Sequence, residues 1–189
     1  NNNNLWIGTS EGLNVMDKRT GEIKKYKAPS ISNNVVSALC VTRDNTLWVG
    51  TDNGLCRYVP EKDTFVVCGD EFGDGRLRYV TIKSLLEDSD GDLWIGTWAQ
   101  GLFRYSPSTD KVVVYPKINE QYSSHVIYED SNKDIWVGSW GYGLFKLRNP
   151  KDMENVSYQS FLHENGDDSS LSDNIVYDIA EDINTHTLW

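Results

Sequence analysis

The stretch LWIGTWAQGLFRY, Leu93–Tyr105, decides the fold because it is one of four similar copies in the chain. The other copies are LWIGTSEGLNVM from Leu5, LWVGTDNGLCRY from Leu47 and IWVGSWGYGLFKL from Ile135, and a fifth copy begins at Leu188. The tryptophans of the five copies are separated by 42, 46, 42 and 53 residues and are Trp6, Trp48, Trp94, Trp136 and Trp189. A period of this length indicates an array in which each repeat is one supersecondary unit.

Each unit reads as four short strands. A first strand such as Val35–Val41 precedes an Asp-rich turn, and the LWIG phrase forms the second strand. GLFRY forms the third strand and a run such as Lys111–Tyr115 the fourth. Alternating and β-branched runs bounded by turn residues are typical of strands, and no segment shows a helical period over ten or more residues. The sequence therefore predicts an all-β fold of β-propeller blades, each a four-stranded antiparallel meander.

The repeat divides the chain into about four blades of one propeller segment spanning 1–189. The predicted blades are 1–30, 31–72, 73–118 and 119–170, with 171–189 beginning a further blade. A propeller ring closes to hide its edge strands, which leaves two arrangements. In one, Ile175–Ala180 supplies the missing first strand of the opening blade and closes a four-bladed ring. We favour the other, an excerpt of a longer propeller of about seven blades.

Two sets of residues recur as architecture. The tryptophans Trp6, Trp48, Trp94 and Trp136 stand at one strand position in every copy, which favours packing between adjacent blades over ligand contact. The glycines Gly8, Gly50, Gly96 and Gly138 follow them where the backbone is expected to approach its neighbours closely. Cys40, Cys56 and Cys68 lack the spacing of a zinc site, and we interpret them as small apolar strand residues in preference to a disulfide.

The composition and net charge limit the classes of partner that this chain is expected to bind. The chain has 189 residues with seven Trp, ten Tyr and a formal net charge of −10, which fits a soluble globular protein. The negative charge disfavours nucleic acid, because binding to the phosphate backbone needs a basic surface. No run approaches 18 consecutive apolar residues, so no membrane contact is expected through this segment.

The stretch DSDGDLWIGTWAQGLFRYSPSTDKVVVY, from Asp88, resembles the two-component regulator propeller repeat: an Asp-rich turn, L-W-[IV]-G-T, a short turn, G-L and an aromatic residue. The resemblance implies the periplasmic sensor region of a bacterial hybrid two-component regulator, with glycan fragments as the usual ligand class. It also implies a membrane-anchored homodimeric parent whose kinase lies in other parts of the protein. This segment is then expected to be no enzyme and to need no cofactor.

Topology places the turn between the second and third strands on the same face as the links between blades. The candidate ligand-binding residues predicted on that face are Trp98, Gln100, Trp140, Tyr142, Arg76, Arg78, Tyr79, Tyr122 and Asn174. Aromatic rings stack on the apolar C–H patch of a pyranose, and the planar polar groups satisfy its hydroxyls. The two arginines would also suit a sulfate or a uronate carboxylate. The alternative is that Trp98 and Trp140 only plug the ends of their blades.

Metal and enzyme chemistry are not expected. Asp88, Asp90 and Asp92 are spaced like the start of an EF-hand loop, but its twelfth position is Ala99, so a hairpin turn is favoured. His125 lies in a first strand and could face the channel, although a surface or satisfied core role is favoured. The competing functions are a propeller lyase, which needs a convergent acid/base group, and a protein-interaction scaffold.

Overall fold

The computed structural model describes residues 4–115, 117–118 and 123–189. Within these ranges the chain forms β-strands and turns without a helix, which confirms the predicted all-β class. Consequently, these ranges hold no long apolar helix of the kind that could cross a membrane.

Four antiparallel sheets follow one another along the chain. The first has three strands, β1 (Asn4–Thr9), β2 (Gly12–Asp17) and β3 (Ile23–Tyr26). The second has four strands, β4 (Val36–Val41), β5 (Leu47–Thr51), β6 (Gly54–Val59) and β7 (Thr64–Val67). The third contains β8 (Ile82–Glu87), β9 (Leu93–Thr97), β10 (Leu102–Ser106) and β11 (Lys111–Val114). The fourth contains β12 (Ser124–Glu129), β13 (Ile135–Ser139), β14 (Leu144–Arg148) and β15 (Ser157–Phe161). Each sheet is a meander in sequence order, the strand arrangement of a propeller blade.

The core lies between neighbouring blades. Trp48 from β5 is buried with Leu77 and Tyr105 of the third repeat, and Trp94 from β9 is buried with Ile127 and residues of the fourth. The first strands β4, β8 and β12 contact one another in succession. A Cβ atom added to Gly50 would lie 2.4 Å from Cγ2 of Ile82 in the next blade, so only glycine lets the two strands approach this closely.

The two ends of the blades form two faces. We call the side with the turns between first and second strands and between third and fourth strands the turn face. The link face is the opposite side, with the turns between second and third strands and the links between blades. The backbone N–H of Gly54 donates to the carbonyl of Val80 at 2.8 Å, and that of Leu102 donates to Ile118 at 3.2 Å. These bonds join the turn of one blade to the link that follows it.

The last unit differs from its predicted form. Of the expected strand Ile175–Ala180, Ile175 forms an isolated bridge to Trp140, and the N–H of Val176 donates to Ser139. A short antiparallel pair follows, β16 (Glu181–Asp182) with β17 (Thr187–Leu188).

Candidate functional site

A buried hydroxyl closes each turn between the second and third strands. Oγ1 of Thr97 donates to the carbonyl of Gly101 at 2.7 Å, and Oγ of Ser139 donates to Gly143 at 2.8 Å. Thr51 makes the same bond to Gly54 at 2.9 Å across a turn that is one residue shorter. Ser139 therefore makes the same hydrogen bond as Thr97, because this bond needs only the hydroxyl group. The extra residue in the longer turns makes room for the WAQ and WGY sequences.

One position of these turns is held identically in three blades. The residue after the Thr or Ser hydroxyl donates its backbone N–H to the link of its own blade. The donors and acceptors are Asp52 to Val35 at 3.1 Å, Trp98 to Thr81 at 2.8 Å and Trp140 to Ser123 at 3.2 Å. Asp52 thus occupies in the second blade the position that tryptophan occupies in the third and fourth.

A second repeated position lies on the first strands. The pairing of β4, β8 and β12 with their second strands skips one residue, which forms a β-bulge at Ser37, Lys83 and His125. A bulge re-aims its side chain, and bulges are over-represented next to functional sites. Tyr177 is the equivalent residue of the last unit, because the preceding Val176 packs against Gly138 as Ile82 packs against Gly50.

These two positions bring four rings together on the link face. We call Trp98, Trp140, His125 and Tyr177 the aromatic arc. The ring centroids of Trp98 and Trp140 are 6.2 Å apart, and Trp140 lies 5.6 Å from His125 and 5.5 Å from Tyr177. The exposed fractions are 44% for Trp98, 39% for Trp140 and 67% for Tyr177. Three large rings therefore remain open to solvent side by side.

The tilt of the rings determines how a ligand can stack. The planes of Trp98 and Trp140 meet at 50°, and those of Trp140 and Tyr177 at 84°. A ligand sandwiched between two rings needs about 7 Å between parallel planes, which is two carbon–carbon contacts of about 3.5 Å. The two indoles are too close and too tilted for this. The arc is therefore an angled platform on which a ligand lies, rather than a slot that it enters.

Polar groups border this platform. Nζ of Lys83 lies 3.1 Å from Oδ1 of Asp52 and 6.0 Å from the centroid of the Trp98 ring. Both side chains of the ion pair are partly exposed. Nδ1 of His125 is buried and has no hydrogen-bond partner among the described residues. A buried polar atom without a partner costs free energy, so the histidine is not explained by packing.

The structure places the other predicted ligand residues in contacts within the protein. Oε1 of Gln100 accepts a hydrogen bond from the Thr81 backbone at 3.0 Å, and Oδ1 of Asn174 accepts one from the His163 backbone at 2.8 Å. Tyr142 is exposed, and its N–H donates to Oγ of Ser139 at 2.9 Å. Tyr122 lies outside the described residues.

Both predicted arginines are ion-paired within their link. Arg76 binds Asp74 and donates to the carbonyl of Val112 on the outermost strand β11 at 2.7 Å, and the hydrogen bond with Asp74 raises the pKa of Arg76. Arg78 lies 2.6 Å from Oδ1 of Asp70 and over the ring of Tyr79, which is 67% exposed. The ring that Arg78 contacts is thus Tyr79 of its own link and not a ring of the arc. Of the nine predicted residues, the structure brings Trp98 and Trp140 together.

Sequence reasoning missed Asp52, Lys83 and Tyr177. A fixed spacing could have found Asp52 and Lys83. Lys83 precedes Trp98 by 15 positions, just as His125 precedes Trp140 by 15 positions. The same spacing relates Ser37 to Asp52. Because one bulge and one hydroxyl-closed turn recur in the second, third and fourth blades, this spacing pairs a bulge side chain with a turn side chain on the link face.

The Asp-rich turn of the third blade already contains a cation. Nζ of Lys151, from the fourth blade, lies 2.9 Å from Asp88, 2.9 Å from Asp90 and 3.2 Å from Asp92. Burial alone would raise the pKa of Asp88, but hydrogen bonds from Lys151 and Trp94 outweigh it and hold the pKa below its ordinary value. The described ranges contain no group of three or more His, Cys, Asp or Glu suited to a metal ion. All three cysteines are free thiols.

Comparison with known proteins identifies the repeat. Residues 30–53, 76–99 and 118–141 match the family described as two component regulator propeller, which confirms the resemblance seen in the sequence. Histidine kinase P4 from Formosa agariphila is 34% identical over 82 residues, which are 41% of this chain and 6% of that protein.

Solved structures of similar proteins agree with this family match. Two structures of one extracellular domain from B. thetaiotaomicron, described as a putative one component system and a putative hybrid two component system, share 29% and 28% identity, with TM-scores of 0.84 and 0.83. Each match covers 99% of this chain and 24% of that one, so the chain spans about a quarter of its structural relatives. Both are extracellular, in agreement with the predicted extracytoplasmic location. Virginiamycin B lyase from Staphylococcus aureus, at 15% identity and a TM-score of 0.62, shares the fold alone.

Proposed function

We propose that this chain, a propeller segment built of two component regulator propeller repeats, detects a ligand outside the cytoplasm for a bacterial hybrid two-component receptor. The family match, the histidine kinase relative and the extracellular structural relatives support this role. The receptor would be a membrane-anchored homodimer with its propellers in the periplasm. Its kinase would lie in parts of the parent protein other than this propeller.

The ligand is an oligosaccharide that binds the aromatic arc. One observation supports this most directly: Trp98 and Trp140 stand side by side, exposed, at equivalent turn positions of adjacent blades. An indole face packs against the C–H patch of a pyranose ring, and two tilted faces match two successive sugar units that are rotated about their linkage. Plugging a blade end would instead bury these rings.

The site supports binding better than catalysis. His125 is the residue of the arc whose side chain is of the type that most often serves as a general base. A general base is held by a partner that orients it, and Nδ1 of His125 has none in the described part of the chain. The likeness to the lyase extends to the fold only. Incubation with each bound glycan should therefore return it unchanged.

The experiment is calorimetric titration of the purified chain with a panel of plant and host oligosaccharides, followed by the variants Trp98→Ala and Trp140→Ala. Each variant should raise the dissociation constant of the bound glycan by about tenfold or more, equivalent to about 1.4 kcal/mol of lost stacking. The melting temperature should change little, because both rings are exposed. Tyr79→Ala, which removes another exposed aromatic ring on the link face but outside the arc, is the matched control. Unchanged affinity in both arc variants would overturn the proposed site.

A further inference from the structure

Three cations on the described part of the link face are each paired with a carboxylate of the same chain. Lys83 is paired with Asp52 at 3.1 Å, and Arg78 with Asp70 at 2.6 Å. Arg76 is bound to Asp74 through two of its nitrogens. The arginines that would suit a sulfate or a uronate thus already bind carboxylates, and they lie along the link rather than at the arc.

The charge around the platform opposes an anionic ligand. Asp52 occupies the turn position that Trp98 and Trp140 occupy in the next two blades, so its carboxylate faces the same end of the propeller as their rings. A ligand carboxylate that approached Lys83 would come close to this like charge, which is unfavourable where water is excluded. The net charge of −10 also repels anions at longer range.

The same ion pair suits a neutral sugar. Two neighbouring hydroxyls of a pyranose can each donate and accept a hydrogen bond. Nζ of Lys83 offers donors and Asp52 offers acceptors, 3.1 Å apart and both partly exposed. Lys83 also lies beside the Trp98 ring, so a sugar stacked on that indole would bring its edge to the pair. Hydrogen bonds to charged groups are the stronger ones, which makes the pair a fixed anchor for a diol.

We propose that the aromatic arc selects uncharged oligosaccharides, and that Asp52 and Lys83 are its specificity-determining pair. Lys83 and Asp52 together bind a vicinal diol of the sugar stacked on Trp98, and Asp52 excludes the corresponding uronate. This inference rests on the proposed function and names the substrate class of that site.

The test compares matched ligands. The purified chain is titrated with neutral β-1,4-linked gluco-, manno- and galacto-oligosaccharides, and with the same oligosaccharides oxidised from the C6 alcohol to the carboxylate. The neutral member of a bound pair should bind at least about tenfold more tightly. Preference for the oxidised member would overturn the inference and leave the proposed function standing. Binding of neither member of any pair would overturn both.

A charge-switch variant supplies the second arm. Asp52→Asn keeps a hydrogen-bond acceptor, removes the negative charge and leaves Lys83 unpaired. It should bind the oxidised oligosaccharide about tenfold more tightly than the wild type does. Asp70→Asn is the matched control, because it frees Arg78 on the same face but away from the arc, and it should give no such gain. An equal gain from both variants would show a general charge effect and overturn the role of Asp52.

Discussion

The two faces of the propeller use polar groups in opposite ways. On the turn face, Oδ2 of Asp88 accepts from Nε1 of Trp94 at 2.9 Å, and Asp130 makes the same bond to Trp136 at 2.8 Å. On the link face, His125 buries a nitrogen without a partner among the described residues, and indoles stay exposed. In the third and fourth blades the turn face therefore pairs its buried indoles, whereas the link face leaves indoles exposed and a buried nitrogen unpaired within the described residues.

Backbone conformation shows the same contrast. Left-handed residues on the turn face are mainly Asn and Asp, such as Asn45, Asp63 and Asp110, which tolerate positive φ, with Lys133 at 66° as an exception. On the link face, Ala99 has φ of 57° and the bulky Tyr79 has φ of 67°. Such strain in residues other than Gly, Asn and Asp persists where the surrounding structure enforces it and is typical of functional sites. Removing a polar side chain should accordingly lower stability at Asp88, which is paired, and raise it at His125, whose Nδ1 is unpaired within the described residues.

The largest effect is expected on the turn face, from Asp88→Ala. The Asp88 side chain is buried and accepts from the indole of Trp94, the ammonium of Lys151 and the backbone N–H groups of Asp90 and Asp92. Removing it leaves Nε1 of Trp94 and the two backbone N–H groups unpaired, whereas Lys151 keeps Asp90 and Asp92. At about 1–3 kcal/mol for each unpaired buried donor, we expect a total cost of about 3–5 kcal/mol. The free energy of unfolding, measured by urea denaturation, should fall by this amount. Asp90→Ala removes an exposed partner of Lys151 and should have a much smaller effect.

The Asp88 contribution should depend on pH. Because the pKa of Asp88 is lowered in the folded chain, its stabilisation is complete above the unfolded value of about 3.9 and is lost as pH falls through the lower folded value. The difference in unfolding free energy between wild type and Asp88→Ala should therefore be constant from pH 5 to 7 and shrink below about pH 4. A difference that instead grew on acidification would contradict the ion pair.

On the link face we expect the opposite sign, from His125→Phe. Phenylalanine keeps the ring between Trp140 and Tyr177 and removes the unpaired Nδ1 atom. The free energy of unfolding should rise by about 1–2 kcal/mol, the cost of a buried polar atom without a partner. Ser37→Ala, at the exposed bulge of the second blade, should change it by less than about 0.5 kcal/mol. A loss of stability in His125→Phe would show that the nitrogen has a partner, such as an enclosed water.

Sequence reasoning predicted the repeated part of the molecule well. The second strand, the Asp-rich turn and the glycine recur with the same spacing, so the strands of all four sheets could be inferred from one phrase. Trp98 and Trp140 were found because they depart from the repeat at one turn position. Lys83 and Tyr177 were missed because a bulge depends on strand register, and register emerges only from pairing. Arg76 and Arg78 were predicted from residue type, which does not reveal the aspartates that neutralise them.

The smallest effect is expected at the second blade, where the described part of the turn face lacks an acceptor for the buried indole N–H. Thr42 stands six residues before Trp48, where Asp88 and Asp130 stand before their tryptophans, and Nε1 of the buried Trp48 has no hydrogen-bond partner within the described ranges. Thr42→Asn should supply the missing acceptor, and its amide N–H replaces Oγ1 of Thr42 as a donor to Asp44, which is 2.6 Å away. The free energy of unfolding should rise by about 0.5–1.5 kcal/mol, the net value of one hydrogen bond. The gain should vanish when Trp48→Phe is present, because phenylalanine has no donor, and a double-mutant cycle measures this coupling. If the gain persisted beside Trp48→Phe, the added amide would be acting through another contact, and the paired indole would not be what distinguishes the other blades.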